Sequence, residues 1–201
     1  FSAMRYTKGM FIVPIFELAV FIFSAIIHEI SHGFAAERLG DPTARLEGRL
    51  TLNPINHLDP FGSVILPISL YFLSGGSFVF GWAKPVPYNP LNLKNPRKDA
   101  GKIAAAGPIA NILIAAVFGV LIRILGGAGS FALILPFFSL IVYINLLLAI
   151  FNLVPLPPLD GSKVLFAALP PYGFGPALAE FLTRYGLMLL LIFIFFGFQF
   201  I

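Results

Sequence analysis

The chain has 201 residues, of which 58% are hydrophobic and only 11% are charged, and its mean hydropathy is +0.92. Globular domains are nearer a quarter charged, so this composition excludes an ordinary water-soluble protein and indicates an integral membrane protein. The net charge of +4 is better explained by membrane orientation than by nucleic-acid binding. Because the chain has no cysteine, disulfides and thiolate metal ligands are excluded, and any bound metal must use nitrogen and oxygen.

Four apolar segments are long enough to be transmembrane helices, since a helix needs about 20 residues to cross the hydrocarbon of a bilayer. They are residues 10–36, 103–122, 131–151 and 181–201. A fifth apolar stretch, residues 61–83, is interrupted by Pro67 and by the Ser-Gly-Gly sequence at 74–76, which should break a helix near its middle. We therefore predict a short helix there, followed by an extended strand, SFVFGW, at 77–82.

The basic residues indicate that segment 61–83 does not cross the membrane. If it enters and leaves on one side, ten Lys and Arg residues lie on one face and only Arg5, Lys8 and Arg123 lie on the other. This asymmetry is typical of a cytoplasmic face, and it largely disappears if the segment crosses fully. We predict a single-domain, all-α polytopic membrane protein with about four transmembrane helices and a membrane-embedded short helix and β-hairpin region at about 48–88.

The first apolar segment ends in a sequence that could bind a divalent metal ion, His28-Glu29-Ile-Ser-His32. Residues four apart lie on one face of a helix, so both imidazoles can reach one ion while Glu29 stands beside it as a base. Polar ligands inside a membrane span are costly and are rarely without function. Because the motif also occurs by chance in helices, the interpretation depends on its position in a span and on a partner motif.

A catalytic zinc site needs a third protein ligand, because such sites use three and keep the fourth position for water. The strongest candidate is Asp160, in the sequence NLVPLPPLDG, where three prolines stop the helix and leave the backbone open beside a carboxylate. The predicted topology places this segment at the same depth as the histidines. A capping role for Asp160 at a turn before Gly161 is the simpler alternative.

These motifs resemble those of the site-2 protease family of intramembrane zinc metalloproteases. The family combines HExxH in one span with an NxxPxxxLDG pattern in a later one, and here Asn152, Pro155 and Leu159-Asp160-Gly161 form the second pattern. The sequence AGPIAN, at residues 106–111, is similar to a glycine-to-asparagine motif found between the other two. No PDZ-like or cystathionine-synthase-like segment is visible, so the resemblance is to a minimal form.

The resemblance implies an intramembrane zinc endopeptidase that acts in the lipid bilayer on a transmembrane helix of another protein. One Zn²⁺ ion would be bound by His28, His32 and Asp160, and Glu29 would take a proton from water and pass it to the leaving amine. Asn152 would help to hold the substrate or the oxyanion. The resemblance also implies a prokaryotic cytoplasmic membrane, with the active site near the cytoplasmic side.

A helical substrate must unwind before cleavage, and its freed backbone groups must find new partners. Extended segments near the site could supply them by β-augmentation. The candidate segments are residues 48–52, 77–82 and 85–88. We expect Phe78, Phe80 and Trp82 to contact the substrate. Two interpretations stay open for Gly107 and Asn111, namely substrate binding, and close helix packing with an interhelical hydrogen bond.

Three further polar residues have simpler explanations. His57 is expected to be a loop or interfacial residue, because a fourth ligand would displace the catalytic water. Asn145 is expected to form an interhelical hydrogen bond. Glu17 lies about three turns before His28 on the same helix and near the same face, so we expect it to point into the bundle. There it would be a protonated or hydrogen-bonded core residue, or a polar element on the path to the metal.

Two other function classes fit parts of the sequence. A divalent-cation transporter would also place histidines and carboxylates in the membrane, but it needs exchangeable ligands and has no use for a base such as Glu29 between two histidines. An inactive relative that binds transmembrane helices as a scaffold would be expected to have lost ligands, and here all are present. Proteolysis that is sensitive to a chelator and to Glu29→Gln would separate the enzyme from both.

Overall fold

The protein is a bundle of long helices, described here from a computed structural model that covers residues 3–73, 75, 84–127 and 131–197. The α-helices are α1 (Ala3–Arg38), α2 (Thr43–Leu46), α3 (Leu66–Leu73), α4 (Pro96–Leu125), α5 (Leu135–Asn152), α6 (Asp160–Ala168) and α7 (Phe174–Ile192). Tighter or wider helical turns occupy Pro54–His57, Pro60–Ile65, Pro90–Asn92 and Phe193–Gly197. The predicted all-α class is confirmed.

Four of these helices are long and apolar enough to cross a membrane. The segments that meet this requirement are Val13–Arg38, Pro96–Leu125, Leu135–Asn152 and Phe174–Phe196. They correspond to the four predicted spans. Large apolar side chains such as Ile15, Val117 and Phe195 are exposed on their outer surfaces. Such a surface is expected where lipid, and not water, surrounds the helices.

Helix α4 is the centre of the bundle, because it contacts α1, α5 and α6. Its buried residues include Gly101, Ala104 and Gly107, and small residues of this kind let neighbouring helices approach closely. Helix α7 lies against the connection between α5 and α6. There a Cβ atom added to Gly186 would lie only 2.7 Å from a ring carbon of Pro157.

Three helices, α1, α4 and α7, begin earlier than the apolar pattern predicts, and α6 was not predicted. Helix α4 starts at Pro96, seven residues before the predicted span, because a helix can continue through polar turns outside the hydrocarbon. The carboxylate of Asp99 accepts a 2.9 Å hydrogen bond from the backbone N–H of Asn95, which supports this start. Helix α7 begins at Phe174 and not at residue 181. Apolarity therefore locates spans better than it locates helix ends.

The connection between α1 and α4 contains the predicted short helix, since α3 ends at Leu73, just before the Ser-Gly-Gly sequence. No strand occurs in the part of this connection that the structure describes. Segments 48–52 and 85–88, which the sequence predicts as strands, are irregular. In segment 85–88 two of the four residues are prolines, which cannot donate to a β-ladder. The predicted strand at 77–82 lies outside the described residues.

Glu17 does not point into the bundle as the helical period predicts. Its side chain is exposed, and the neighbouring Phe16 faces α5 instead. The Phe16 ring packs edge to face on Phe137, with ring centroids 4.9 Å apart. The face of α1 that carries the histidines therefore does not keep the same neighbours along the whole helix. For this reason, the direction of the Glu17 side chain cannot be extrapolated from that of His28, three helical turns away.

Candidate metal centre

Helices α1 and α6 bring two imidazoles and one carboxylate to a single point. The Oδ2 atom of Asp160 lies 3.0 Å from Nε2 of His28 and 3.1 Å from Nε2 of His32. The two imidazole rings stand edge to face, with centroids 4.7 Å apart. All three side chains are buried. The structure thus brings together the three predicted ligands from distant parts of the chain.

Asp160 does not act as the cap of α6. Asp160 is the first residue of α6, while Leu159 occupies the capping position without a side-chain hydrogen bond. The structure therefore does not support the simple capping alternative.

The other nitrogen of each imidazole is bonded away from this point. Nδ1 of His32 lies 2.7 Å from the backbone carbonyl oxygen of Ile103, and Nδ1 of His28 lies 2.6 Å from Oδ1 of Asn111. A carbonyl oxygen can only accept, so each Nδ1 atom carries the hydrogen and donates it. In a neutral ring, Nε2 then keeps its lone pair. Both lone pairs point toward Asp160.

This arrangement fits a bound cation. Two nitrogen lone pairs and a carboxylate oxygen at about hydrogen-bond distance repel one another unless a positive charge lies among them. Two imidazole nitrogens and one carboxylate oxygen are also the donor set of a catalytic zinc site with an open fourth position. Among the described residues, His28, Glu29 and His32 offer ligand atoms that all lie within 4.8 Å of one another.

Two glycines allow the helices around the site to come close enough for His28, His32 and Asp160 to meet. A Cβ atom on Gly107 of α4 would lie 2.6 Å from Nε2 of both His28 and His32. A Cβ atom on Gly161 of α6 would collide with the backbone carbonyl of Leu153, just beyond the end of α5. Both glycines belong to motifs singled out in the sequence. Their role in the structure is to remove a side chain where the site has no room for one.

Glu29 lies beside the candidate ligands and is held by the backbone of a distant loop. Its Oε2 atom accepts a 3.0 Å hydrogen bond from the backbone N–H of Val86. Glu29, His32 and Asp160 all line one cavity of about 170 Å³. A carboxylate in this position can accept a proton from a water molecule or other ligand in the cavity.

Asn152 lines the same cavity from the last turn of α5. Its amide nitrogen donates a 2.9 Å hydrogen bond to the carbonyl of Leu148, which uses one of its two hydrogens and leaves the other for a ligand. Lys163 lies across the cavity, with Nζ 3.8 Å from Oδ1 of Asp160 and 6.0 Å from the ring centroid of Tyr88. The cavity therefore combines carboxylates with at least two groups that can donate to a carbonyl oxygen.

One side of the cavity is formed by residues 84–89, which we call the loop wall; Pro85, Val86 and Tyr88 are its lining residues. Arg49 is buried and holds this wall through its guanidinium group. Nη2 of Arg49 donates to the carbonyls of Lys84 at 2.7 Å and Pro85 at 3.2 Å, while Nη1 donates to a carbonyl before α3. A single side chain thus links both ends of the connection.

Asp41 holds the far end of the loop wall. Its buried carboxylate accepts hydrogen bonds from the backbone N–H of Asn89 at 2.6 Å, from the Asn92 amide at 2.7 Å and from the Thr43 hydroxyl at 2.5 Å. Burial alone would raise the pKa of Asp41, but these hydrogen bonds outweigh burial and lower it. The loop just after α1 is therefore joined to the segment that leads into α4.

The residues predicted to bind the substrate differ from the candidate ligands in where the structure places them. Asn111 is 0% exposed, so its side chain has no surface toward a substrate, and Gly107 faces the imidazole rings. The structure favours the packing interpretation of both residues over substrate binding. Phe78, Phe80 and Trp82 lie outside the described residues. No geometry can be assigned to their predicted contact with substrate.

His57 and Asn145 lie in the environments that the sequence suggests. His57 is buried in the connection, where Nε2 donates to the carbonyl of Thr51 at 2.8 Å. Asn145 forms interhelical hydrogen bonds with Asn111 and Ser24. Ser24 was missed, although it lies four residues before His28 and so shares its helix face. The hydrogen bonds that backbone atoms make to the site residues could not be inferred from the sequence.

Comparison with known proteins identifies the family. The profile of peptidase family M50 matches residues 120–195. A Bacillus subtilis protein named "Putative zinc metalloprotease YwhC" is 37% identical over 182 residues, which are 82% of this chain and 79% of that protein. A Methanocaldococcus jannaschii protein, "Putative zinc metalloprotease MJ0611", is 34% identical over 78% of this chain and 75% of its own length. This chain belongs to peptidase family M50.

M50 is the site-2 protease family, as the sequence motifs indicated. The chain is therefore a zinc metalloprotease, and with its four apolar helices it is an integral membrane protein. A more distant relative from Mycolicibacterium smegmatis, "Putative zinc metalloprotease Rip2", is 30% identical, and this chain spans 58% of its length. No solved structure matches the chain.

Proposed function

We propose that this M50 metalloprotease is an intramembrane endopeptidase that hydrolyses a peptide bond within or near a transmembrane helix of another protein. The observation that supports this most strongly is the convergence of His28, His32 and Asp160 on one point. Glu29 lines the same cavity as His32 and Asp160. The site is built on helices long and apolar enough to cross a membrane. Its natural substrates are therefore membrane-anchored proteins.

His28, His32 and Asp160 hold the zinc ion in this proposal. Both histidines enter as neutral rings, since each Nδ1–H is donated to an oxygen and each Nε2 lone pair is directed at the site. Bound zinc supplies a Lewis acid that polarises the scissile carbonyl and acidifies a water molecule. The protein's part is to present three ligands, leave one position open and exclude bulk water.

Glu29 acts as the general base and then as the general acid. Its carboxylate takes a proton from the attacking water, and it returns that proton to the leaving amine nitrogen when the peptide C–N bond breaks. The Val86 N–H bonds to only one oxygen atom, so the other remains available for the proton. General acid–base catalysis of this kind contributes roughly 10²–10⁴-fold to a rate.

Asn152 is proposed to bind the substrate or its oxyanion. Asn152 lines the cavity at the end of α5, and its hydrogen bond to the Leu148 carbonyl uses only one of its two amide hydrogens. A donor that meets negative charge only as the carbonyl oxygen becomes tetrahedral lowers the barrier more than it strengthens substrate binding. We assign Asn152 a smaller share of catalysis than Glu29.

The substrate reaches the site as an unwound, extended segment. The loop wall offers it little backbone pairing, because Pro85 and Pro87 have no N–H and the N–H of Val86 is taken by Glu29. The loop wall is therefore a poor partner for β-augmentation of the substrate. The excess of basic residues on one predicted face supports an active site near the cytoplasmic side of the membrane. The assignment to a prokaryotic membrane rests on the resemblance to relatives such as the Bacillus subtilis protein.

The test uses purified protein in detergent with a model transmembrane substrate, with and without a zinc chelator. Wild-type protein is expected to release two defined fragments, and the chelator is expected to abolish their formation. Glu29→Gln removes the proton acceptor but keeps the shape of the side chain, so the rate should fall roughly 10²–10⁴-fold while zinc remains bound.

Two further measurements make this test decisive. Soluble peptides of the same sequence serve as a control for intramembrane specificity, because an endopeptidase that prefers unfolded peptides would cleave them at least as fast. Zinc content of each variant, measured by atomic absorption, separates loss of the base from loss of the metal. Undiminished cleavage by Glu29→Gln would contradict the proposal.

A further inference from the structure

The polar groups behind His28 form a buried chain of hydrogen bonds across three helices. Nδ2 of Asn111 on α4 donates to the carbonyl of Ser24 on α1 at 3.3 Å and to Oδ1 of Asn145 on α5 at 2.8 Å. Nδ2 of Asn145 donates to the hydroxyl of Ser24 at 2.9 Å and to the carbonyl of Ile141 at 2.9 Å. Both asparagines are 0% exposed.

Two backbone carbonyls determine the orientation of both amides. The carbonyls of Ser24 and Ile141 can only accept, so the NH₂ groups of Asn111 and Asn145 must face them. The Oδ1 atom of Asn111 is then directed at His28, 2.6 Å from Nδ1. That oxygen requires a hydrogen on Nδ1, which leaves the lone pair on Nε2, the atom 3.0 Å from Asp160.

We propose that Asn111 is a positioning residue for the zinc site, and that Asn145 and Ser24 hold it in the orientation that makes it an acceptor. Its function is to fix the tautomer and the ring direction of His28. The inference rests on the proposed role of His28 as a zinc ligand. It gives the glycine-to-asparagine sequence at 106–111 a function beyond packing, since Gly107 admits the rings and Asn111 orients one of them.

Helix packing alone does not require this arrangement. Burying two amides is costly unless every donor and acceptor is paired, and an apolar pair of similar shape would fill the same volume at less cost. Here the network ends on the one ring nitrogen whose protonation decides whether Nε2 can bind a metal. His32 needs no such network, because a backbone carbonyl already orients its ring.

The test is zinc affinity, measured by competition with a chromophoric chelator, for full-length protein in detergent. Partners that orient a metal-binding histidine typically contribute 10- to 100-fold to metal affinity. Asn111→Leu keeps the approximate shape and removes the acceptor, so it should weaken zinc binding by about that factor. The absorption spectrum of the Co²⁺ form should also change in Asn111→Leu, because the His28 ring is then no longer oriented.

Ile144→Ala is the matched structural control. Ile144 is buried beside Asn145 on α5 but donates no side-chain hydrogen bond, so its truncation should lower thermal stability and leave zinc affinity unchanged. If Asn111→Leu does not fold, Asn145→Leu takes its place, with a smaller loss of affinity expected because Asn111 then loses only its support. Wild-type zinc affinity in the leucine variants would overturn the inference.

His28→Ala in the same assay separates this inference from the proposed function. If His28→Ala binds zinc as tightly as the wild type does, the proposed ligand set is wrong and the role of Asn111 fails with it. If His28→Ala loses zinc while Asn111→Leu keeps it, the ligand set stands and only the positioning role fails. Neither result depends on a proteolysis assay.

Discussion

The two sides of the cavity are built by different means. On the helical side, His28, His32 and Asp160 are held by close packing against Gly107 and by buried hydrogen bonds between helices. On the other side, the loop wall has no regular structure and is held by three polar side chains, Arg49, Asp41 and Glu29. The helical side is packed like a protein core, whereas the loop wall is held by individual side-chain hydrogen bonds.

This difference indicates a division of labour between metal binding and substrate access. Close-packed groups cannot shift without strain, so the helical side suits ligands that must keep their geometry. The loop wall lacks the repeating backbone hydrogen bonds of a helix, and a segment held by a few individual side-chain hydrogen bonds opens more easily than a close-packed bundle of helices. Changes on the helical side should therefore alter zinc binding, and changes in the loop wall should alter turnover or opening with zinc in place.

The largest effect is expected for Gly107→Ala, which tests the helical side. The added methyl would lie 2.6 Å from Nε2 of both His28 and His32, so the rings or α4 must move. Displacement of catalytic groups by about 1 Å costs on the order of 100-fold in rate. We expect a loss of that size together with reduced zinc content, measured on the same preparation.

Gly119→Ala is the control for Gly107→Ala. Gly119 lies on the same helix, and a Cβ atom added there meets nothing within 4 Å. It should leave zinc content and activity unchanged and raise stability by up to about 1 kcal/mol. Equal behaviour of the two alanine variants would show that the site tolerates a side chain against its rings.

A smaller effect is expected for Val86→Pro, which removes the N–H that holds Glu29. A hydrogen bond to a charged group is worth about 1.5 kcal/mol, which corresponds to about tenfold in kcat. Zinc content should not change, because no ligand is touched. Val86→Ala keeps the N–H and should keep the wild-type kcat, although loss of two buried methyl groups should lower its stability by about 1 kcal/mol. If the proline variant lost zinc and the alanine variant kept it, the loop wall would also control metal binding. That result would contradict the proposed division between the two sides of the cavity.

A few-fold fall in activity is expected for Arg49→Met, which keeps the length of the side chain but loses its donors to the loop wall. The freed segment should become a site of cleavage by a soluble protease, detectable by mass spectrometry of fragments cut at residues 84–89. Arg49→Lys keeps the charge without the planar fork and should give partial protection. If the loop wall were equally resistant to the protease in the wild type, Arg49→Met and Arg49→Lys, the interpretation that Arg49 holds it in place would be contradicted.

The smallest effect on activity is expected for Asp41→Asn, which should change stability instead. Since the folded pKa of Asp41 is lower than its unfolded value of about 3.9, the carboxylate stabilises the fold fully above that value and loses this contribution as the pH falls through the folded pKa. The variant should be destabilised by about 1–3 kcal/mol near pH 7, with the difference shrinking in acid. Thermal unfolding from pH 7 to pH 3 measures this.

The sequence predicts well that His28, His32 and Asp160 meet, because their convergence depends on two strong regularities. The helical period places His28 and His32 on one face, and the charge asymmetry places Asp160 at the same depth, so their meeting needed no detailed model of packing. The four spans follow from apolarity in the same way. These features survive small errors in helix boundaries.

The remaining features depend on contacts that residue types do not encode. The partners of Glu29 and His32 are backbone atoms of Val86 and Ile103, which any residue with the right backbone could supply. Glu17 was misplaced because a helix changes neighbours along its length, and Phe16 meets α5 at that level. The polar network could have been inferred in part, since Asn111 and Asn145 are costly in a span unless they pair.

The carbonyl of Ile103 that orients His32 has an evolutionary consequence. Every amino acid at position 103 supplies a carbonyl, so point mutation cannot delete that acceptor. The acceptor for His28 is a side chain, and a single codon change removes it. Heritable variation can therefore change the orientation of the His28 ring, while the backbone keeps the His32 ring in place.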